Sequence, residues 1–125
     1  MVTGIHHYSM KCNSQEELDK VKDFYLRLLG FKLKREWNGG IMIDAGNALI
    51  EVFCNGEGIK DKGAIRHIAF AADDVDEIVD AVKKAGYEVF IEPNDILIPS
   101  NPECRARMAF CYGPLGEQVE FFCEK

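Results

Sequence analysis

Apolar and polar positions change period in a fixed order along the chain, and that order is written twice. Residues 4–12, GIHHYSMKC, alternate as a half-buried strand does, with His7, Ser9 and Lys11 opposing His6, Tyr8 and Met10. Ser14 and Glu17 have capping-box spacing. Leu18, Val21, Tyr25 and Leu28 then recur at helical intervals, with Phe24 and Leu29 beside them, and Gly30 is the expected left-handed stop. Strands are predicted over 31–37, 41–45 and 48–53, separated by turns at 38-NGG-40 and Gly46-Asn47.

The second half repeats the plan. A strand is predicted over 65–71, and a helix opens at Asp74 and Glu77 and carries Ile78, Val79, Val82 and Ala85. Gly86 stops it, and strands follow over 87–92, 107–112 and 117–123, the last two joined by 113-GPLG-116. Residues 93–106 fall between strands and are expected to form a long loop. Their Ile96-Leu97-Ile98 run makes them a candidate lid. The expectation is an α+β chain of one domain. Two tandem βαβββ modules, 1–55 and 65–125, are joined by the polar linker 56–64 and form a concave mixed sheet with helices on its outer face.

The matching positions carry the chemistry. His7 and His67 fall at corresponding places in the two first strands, and Glu51 and Glu120 in the two last strands. Strand alternation sets Ile50, Val52, Ile68, Phe70, Val119 and Phe121 on the face that helices cover. His7, Glu51, His67 and Glu120 are thereby expected on the opposite, concave face, near Leu49, Phe53 and Phe122. Two imidazoles and two carboxylates gathered in an apolar cleft are costly unless something neutralises and orders them. A divalent metal does both. Two nitrogen and two oxygen donors leave two positions of an octahedral shell for water, which suits nickel, cobalt, iron, manganese or zinc in a catalytic site. Each residue taken alone reads as an ordinary hydrogen-bonded His or a Glu on a wet surface; four coincidences in two copies favour the metal. His6, on the helix-facing side, reads as a structural hydrogen-bonding residue.

Composition narrows the partners. With 47% hydrophobic and 29% charged residues over 125 positions, the chain has the make-up of an ordinary globular protein. A formal net charge of −6 offers no basic footprint for nucleic acid, which leaves a small-molecule or protein partner. No apolar run has the length of a membrane span, and residues 1–11 lack the apolar core of a signal peptide, so a cytoplasmic protein is expected. The five cysteines, Cys12, Cys54, Cys104, Cys111 and Cys123, form no CxxC pair and read as small apolar residues.

The paired modules, with 7-HYSMK-11, 24-FYLRLLGF-31, 48-ALIEVFCN-55, 66-RHIAFAADDV-75 and 116-GEQVEFF-122, resemble the vicinal oxygen chelate superfamily over nearly the whole chain. Its fold is that of the glyoxalases, bleomycin resistance proteins and dioxygenases. Within the superfamily the His-Glu-His-Glu set is similar to that of glyoxalase I, which converts the hemithioacetal of methylglyoxal and glutathione to a lactoyl thioester. The resemblance implies metal ligands at His7, Glu51, His67 and Glu120, with Glu120 as the proton-transferring base and Glu51 as its quasi-symmetric partner. It implies contacts to the thiol cosubstrate, glutathione or an analogue, from Lys11 and Asn55. It also implies a compact type that prefers nickel or cobalt, with sites shared across a homodimer. Arg105 and Arg107 are further candidates for holding charged ends of the substrate, against the plain reading of a solvated strand edge. Rival readings are a fosfomycin-modifying or acyl-CoA epimerase type, against which Glu51 weighs, and a non-catalytic binding protein, against which the full ligand set weighs.

Overall fold

A computed structural model describes residues 1, 5–57 and 65–125, in two compact units, Met1–Lys60 and Asp61–Lys125. Gly4, predicted to open the first strand, and residues 58–64 of the predicted linker lie outside the described residues.

The first unit runs β1 (His7–Lys11), α1 (Gln15–Lys22), β2 (Lys32–Trp37), β3 (Gly40–Asp44) and β4 (Leu49–Phe53). The second runs β5 (Ile68–Ala71), α2 (Val75–Lys84), β6 (Val89–Ile98), β7 (Cys104–Tyr112) and β8 (Gln118–Glu124). Both are βαβββ, as the repeated pattern predicts. Hydrogen bonding makes a separate four-stranded sheet in each unit, ordered β1-β4-β3-β2 and β5-β8-β7-β6. Each first strand runs parallel to its last, and the remaining pairs are antiparallel.

Helix entry follows the capping chemistry. The Ser14 hydroxyl accepts from the Glu17 amide at 3.2 Å, and the Glu17 carboxylate accepts from the Asn13 amide at 2.7 Å. In α2 the Asp74 carboxylate accepts from the Glu77 amide at 3.0 Å. Gly30 and Gly86 adopt φ of 77° and 90°, the left-handed stops expected of them.

The first helix departs from expectation. Its last part, Asp23–Leu28, is π-helical, and the Leu29 amide reaches back five residues to the Phe24 carbonyl at 2.9 Å. The wider turn lets two neighbouring aromatic residues, Phe24 and Tyr25, both be fully buried, with their rings edge to face at 4.9 Å. A helical period alone cannot announce such a change.

One face of each sheet is the core face. Ile41, Ile43, Ile50 and Val52 are buried on the first, as are Ala109, Cys111, Val119 and Phe121 on the second. The α2 side chains Val75, Val79 and Val82 are buried too, and α2 packs against β6, β7 and β8. Each such aliphatic side chain contributes about 1.5–3 kcal/mol when fully removed from water.

The long loop expected over 93–106 is overturned. β6 continues through Pro93 to Ile98, β7 starts at Cys104, and the ladder pairs Asn94 with Met108, Ile96 with Ala106 and Ile98 with Cys104. β6 is an edge strand and the register shifts between Ile91 and Asn94, so the missing N–H of Pro93 breaks no required bond. Only the hairpin tip, 99–103, lies outside the strands.

Candidate metal centre

Each unit carries one histidine–carboxylate pair, built in the same way. In the first, the parallel register sets His7 opposite Leu49 and Ser9 opposite Glu51, so His7, Ser9, Lys11, Leu49, Glu51 and Phe53 share the face away from the core. The His7 Nε2 lies 3.7 Å from the Glu51 Oε1. In the second, Ala69 stands opposite Glu120, and the His67 Nε2 lies 3.1 Å from the Glu120 Oε2. In both, the glutamate faces the residue two places after the histidine. His67 was expected within a strand but immediately precedes β5, whose ladder to β8 starts at Ile68.

The carboxylates are sheltered and the imidazoles open. Side-chain exposure is 13% for Glu51 and 10% for Glu120, against 37% for His7 and 41% for His67. Burial pushes the Glu120 carboxyl above the ordinary range, and the attraction of His67 opposes that rise. A sheltered carboxylate beside an exposed imidazole has donor chemistry that would suit a divalent cation. Among the described residues no group of three or more His, Cys, Asp or Glu side chains stands together, so the donors are gathered in twos.

His6 does form a hydrogen bond, but not in the core. It is exposed, and its Nδ1 lies 2.9 Å from the Nδ1 of His7, their rings edge to face at 5.1 Å. The Nδ1 of His7 is thereby engaged by His6, while its Nε2 faces Glu51, an arrangement that fixes the ring's orientation.

Aromatic residues that the sequence reading passed over flank both pairs. Phe110 stands opposite Glu120 in the β7–β8 register, and its ring lies 5.1 Å from that of His67. Phe90 stacks on Tyr112 at 4.3 Å. In the first unit Trp37 meets Phe53 at 5.5 Å and lies over Gly40, where an added Cβ would come within 2.4 Å of the indole. Alternation in 107–112 already puts Phe110 and Tyr112 on one side. That this is the side of Glu120 depends on a register which alternation does not supply.

Of the remaining candidates, Lys11 is exposed on the His7 face and Asn55 is exposed just beyond β4. The two arginines are not at the pairs. Arg107 points to the helix side, where its Nη2 donates to the Asp76 Oδ1 of α2 at 2.7 Å and its Nη1 to the Asp95 Oδ1 at 3.3 Å. Arg105, two residues earlier, shares that side of β7 and lies 3.9 Å from Glu103. Of the two readings given for them, the strand-edge one is met by Arg107, which is ion-paired within the second unit.

Residues 4–121 match the Glyoxalase/Bleomycin resistance protein/Dioxygenase superfamily. No curated protein matches the chain. Among solved structures, a glyoxalase family protein from Enterococcus faecalis is 21% identical, with 95% of this chain and 96% of that one covered and a TM-score of 0.69. Lactoylglutathione lyase from Agrobacterium tumefaciens is 18% identical, with coverage of 98% and 95% and a TM-score of 0.69. A fosfomycin resistance protein from Listeria monocytogenes is 17% identical, with coverage of 100% and 94% and a TM-score of 0.77. At these identities the likeness is one of fold. Among the described residues no helix is long and apolar enough to cross a membrane.

Proposed function

Since the chain belongs to the glyoxalase/bleomycin resistance/dioxygenase superfamily, we propose that it is a metal-dependent, glyoxalase I-like isomerase. It would convert the hemithioacetal of methylglyoxal and a thiol, glutathione or an analogue, to a lactoyl thioester. One observation supports this above the others: the His–Glu pair is built twice, at corresponding places in the two units, with the glutamate opposite the second residue after the histidine in each. A binding module with a single apolar pocket has no use for two sheltered carboxylates.

In this reading His7, Glu51, His67 and Glu120 pool their donors on one divalent ion, nickel or cobalt ahead of zinc, manganese or iron. The ion would supply Lewis-acid stabilisation of negative charge on the substrate's neighbouring oxygens. The protein's own groups do the proton work. Burial raises the proton affinity of Glu120 above that of a free carboxylate, which suits a base that takes a proton from one carbon and must later release it. Glu51, at the corresponding place, serves the return step. Lys11 and Asn55 are assigned to the charged end of the thiol. We further assign the complete donor set to a homodimer in which two chains share each site.

The test is direct. Protein stripped of metal is reloaded separately with nickel, cobalt and zinc, its metal content measured, and methylglyoxal offered with several thiols. About one ion per chain and thiol-dependent thioester formation are expected. No binding on titration overturns the metal reading; binding without turnover overturns the reaction.

A further inference from the structure

We propose that Cys12 and Cys54 form a dithiol couple that closes reversibly to an intramolecular disulfide at the ends of the strands bearing His7 and Glu51. Cys12 immediately follows β1 and Cys54 immediately follows β4, and the parallel register ends with Lys11 opposite Phe53. One backbone bond carries the register a step further, and the next slips by one residue, from Asn55 to Gly56. The Cys12 amide donates to the Phe53 carbonyl at 2.9 Å, and the Gly56 amide to the Cys12 carbonyl at 2.9 Å. Neighbouring strands stand about 4.8 Å apart, inside the roughly 4.4–6.8 Å range of Cα separations that a disulfide spans.

The side chains agree with the backbone. Cys12 follows Tyr8 and Met10 on the inner side of β1, and Cys54 follows Ile50 and Val52 on the inner side of β4. The Cys12 thiol donates to the Ser14 carbonyl at 3.6 Å, and the Cys54 thiol is near enough to raise its proton affinity. None of the other three cysteines has a cysteine opposite it: Cys104 faces Ile98, Cys111 faces Val89 and Val119, and Cys123 faces Arg107.

The two sulfurs differ in access, which orders the chemistry. Cys12 is fully buried and Cys54 is partly exposed. Burial, then the neighbouring Cys54, pushes the Cys12 thiol up to about 11, so at neutral pH it stays protonated and unreactive on its own. The oxidant is a hydroperoxide. The Cys54 sulfur attacks its terminal oxygen, the O–O bond breaks, and Cys54 becomes a sulfenic acid while the alcohol, or water from hydrogen peroxide, departs. The Cys12 sulfur then attacks the sulfenic sulfur, its proton leaves with the hydroxide as water, and the disulfide forms. Two thiols lose two electrons, and the peroxide gains them. An external dithiol reverses the change by exchange.

This inference stands apart from the metal-dependent reading and is tested without metal. Metal-free protein is treated with hydrogen peroxide, unfolded, and titrated for free thiols. The expected fall is from five, the number in the sequence, to about three, with return to five after dithiothreitol. Peptide mapping should find Cys12 joined to Cys54 in monomeric chains. The Cys54→Ser variant, altered at the more exposed partner, should form no such link and leave Cys12 a free thiol. Five thiols persisting after treatment, a link involving Cys104, Cys111 or Cys123, or oxidation of Cys54 alone to a sulfinic acid would each overturn the proposal.

Discussion

Replacing Glu120 by Gln should separate activity from folding. Gln keeps the shape of the side chain and can still meet the His67 Nε2, now 3.1 Å from the carboxylate. Two opposing changes follow for stability. The variant loses its attraction to His67, which is 41% exposed and therefore screened, a loss of at most about 1 kcal/mol. It also no longer confines a charge at a site only 8% exposed, which is a gain. For 125 residues an unfolding entropy of about 2.1 cal/mol/K per residue makes 1 kcal/mol equivalent to about 4 °C.

Metal-free Glu120→Gln should therefore melt within about 4 °C of the parent at neutral pH. The pH dependence has a definite sign. Burial holds the folded-state pKa of Glu120 above the ordinary 4.5, so the folded chain binds this proton more tightly than the unfolded one. The parent loses stability as pH rises from 4.5 through the folded value, and the variant does not. The variant should thus gain relative to the parent over that window. Turnover should fall roughly 10²-fold at equal metal occupancy, because an amide cannot accept the substrate proton. The assay is thioester formation by metal-reloaded protein beside a melting curve of the metal-free form. Activity within threefold of the parent would refute Glu120 as the base, and a collapsed melting temperature would show that the carboxylate serves the fold.

Two further predictions concern assembly and the first unit. Co-expressing His7→Ala with His67→Ala, each inactive alone, should restore roughly a quarter of parental activity, because half of randomly paired dimers are mixed and each mixed dimer keeps one intact shared site. No recovery would place each site within one chain. Gly40→Ala should push the indole of Trp37 off Phe53, since the new Cβ would lie 2.4–2.7 Å from three of its ring atoms. The single tryptophan then reports its own displacement through a shifted emission maximum, with a loss of about 1–2 kcal/mol in stability. An unchanged spectrum would show that Trp37 does not rest on Gly40.

What could be read from the chain alone followed local rules. Capping at Ser14 and Asp74, the stops at Gly30 and Gly86, and the face of His7 and Glu51 all rest on periods and turn chemistry, and all appear in the structure. What escaped depends on neighbours far along the chain. Residues 93–98 look like a loop until β6 is known to pair through them as an edge strand. The choice for Arg107 between substrate contact and strand edge stays open until α2 brings Asp76 to it, and Phe110 gains meaning only from its register with Glu120. The π-helical turn at Asp23–Leu28 answers to the burial of Phe24 and Tyr25 together.

The parallel pairing of β1 with β4, and of β5 with β8, bears on the order in which the protein is made. Each histidine leaves the ribosome first in its module and each glutamate nearly last, with the helix and a hairpin between them. A parallel crossover of this length closes late, after the local hairpin has formed. A growing or truncated chain therefore presents an imidazole without its carboxylate. An ion that required both donors would discriminate in favour of finished modules, so that its capture would report completed synthesis.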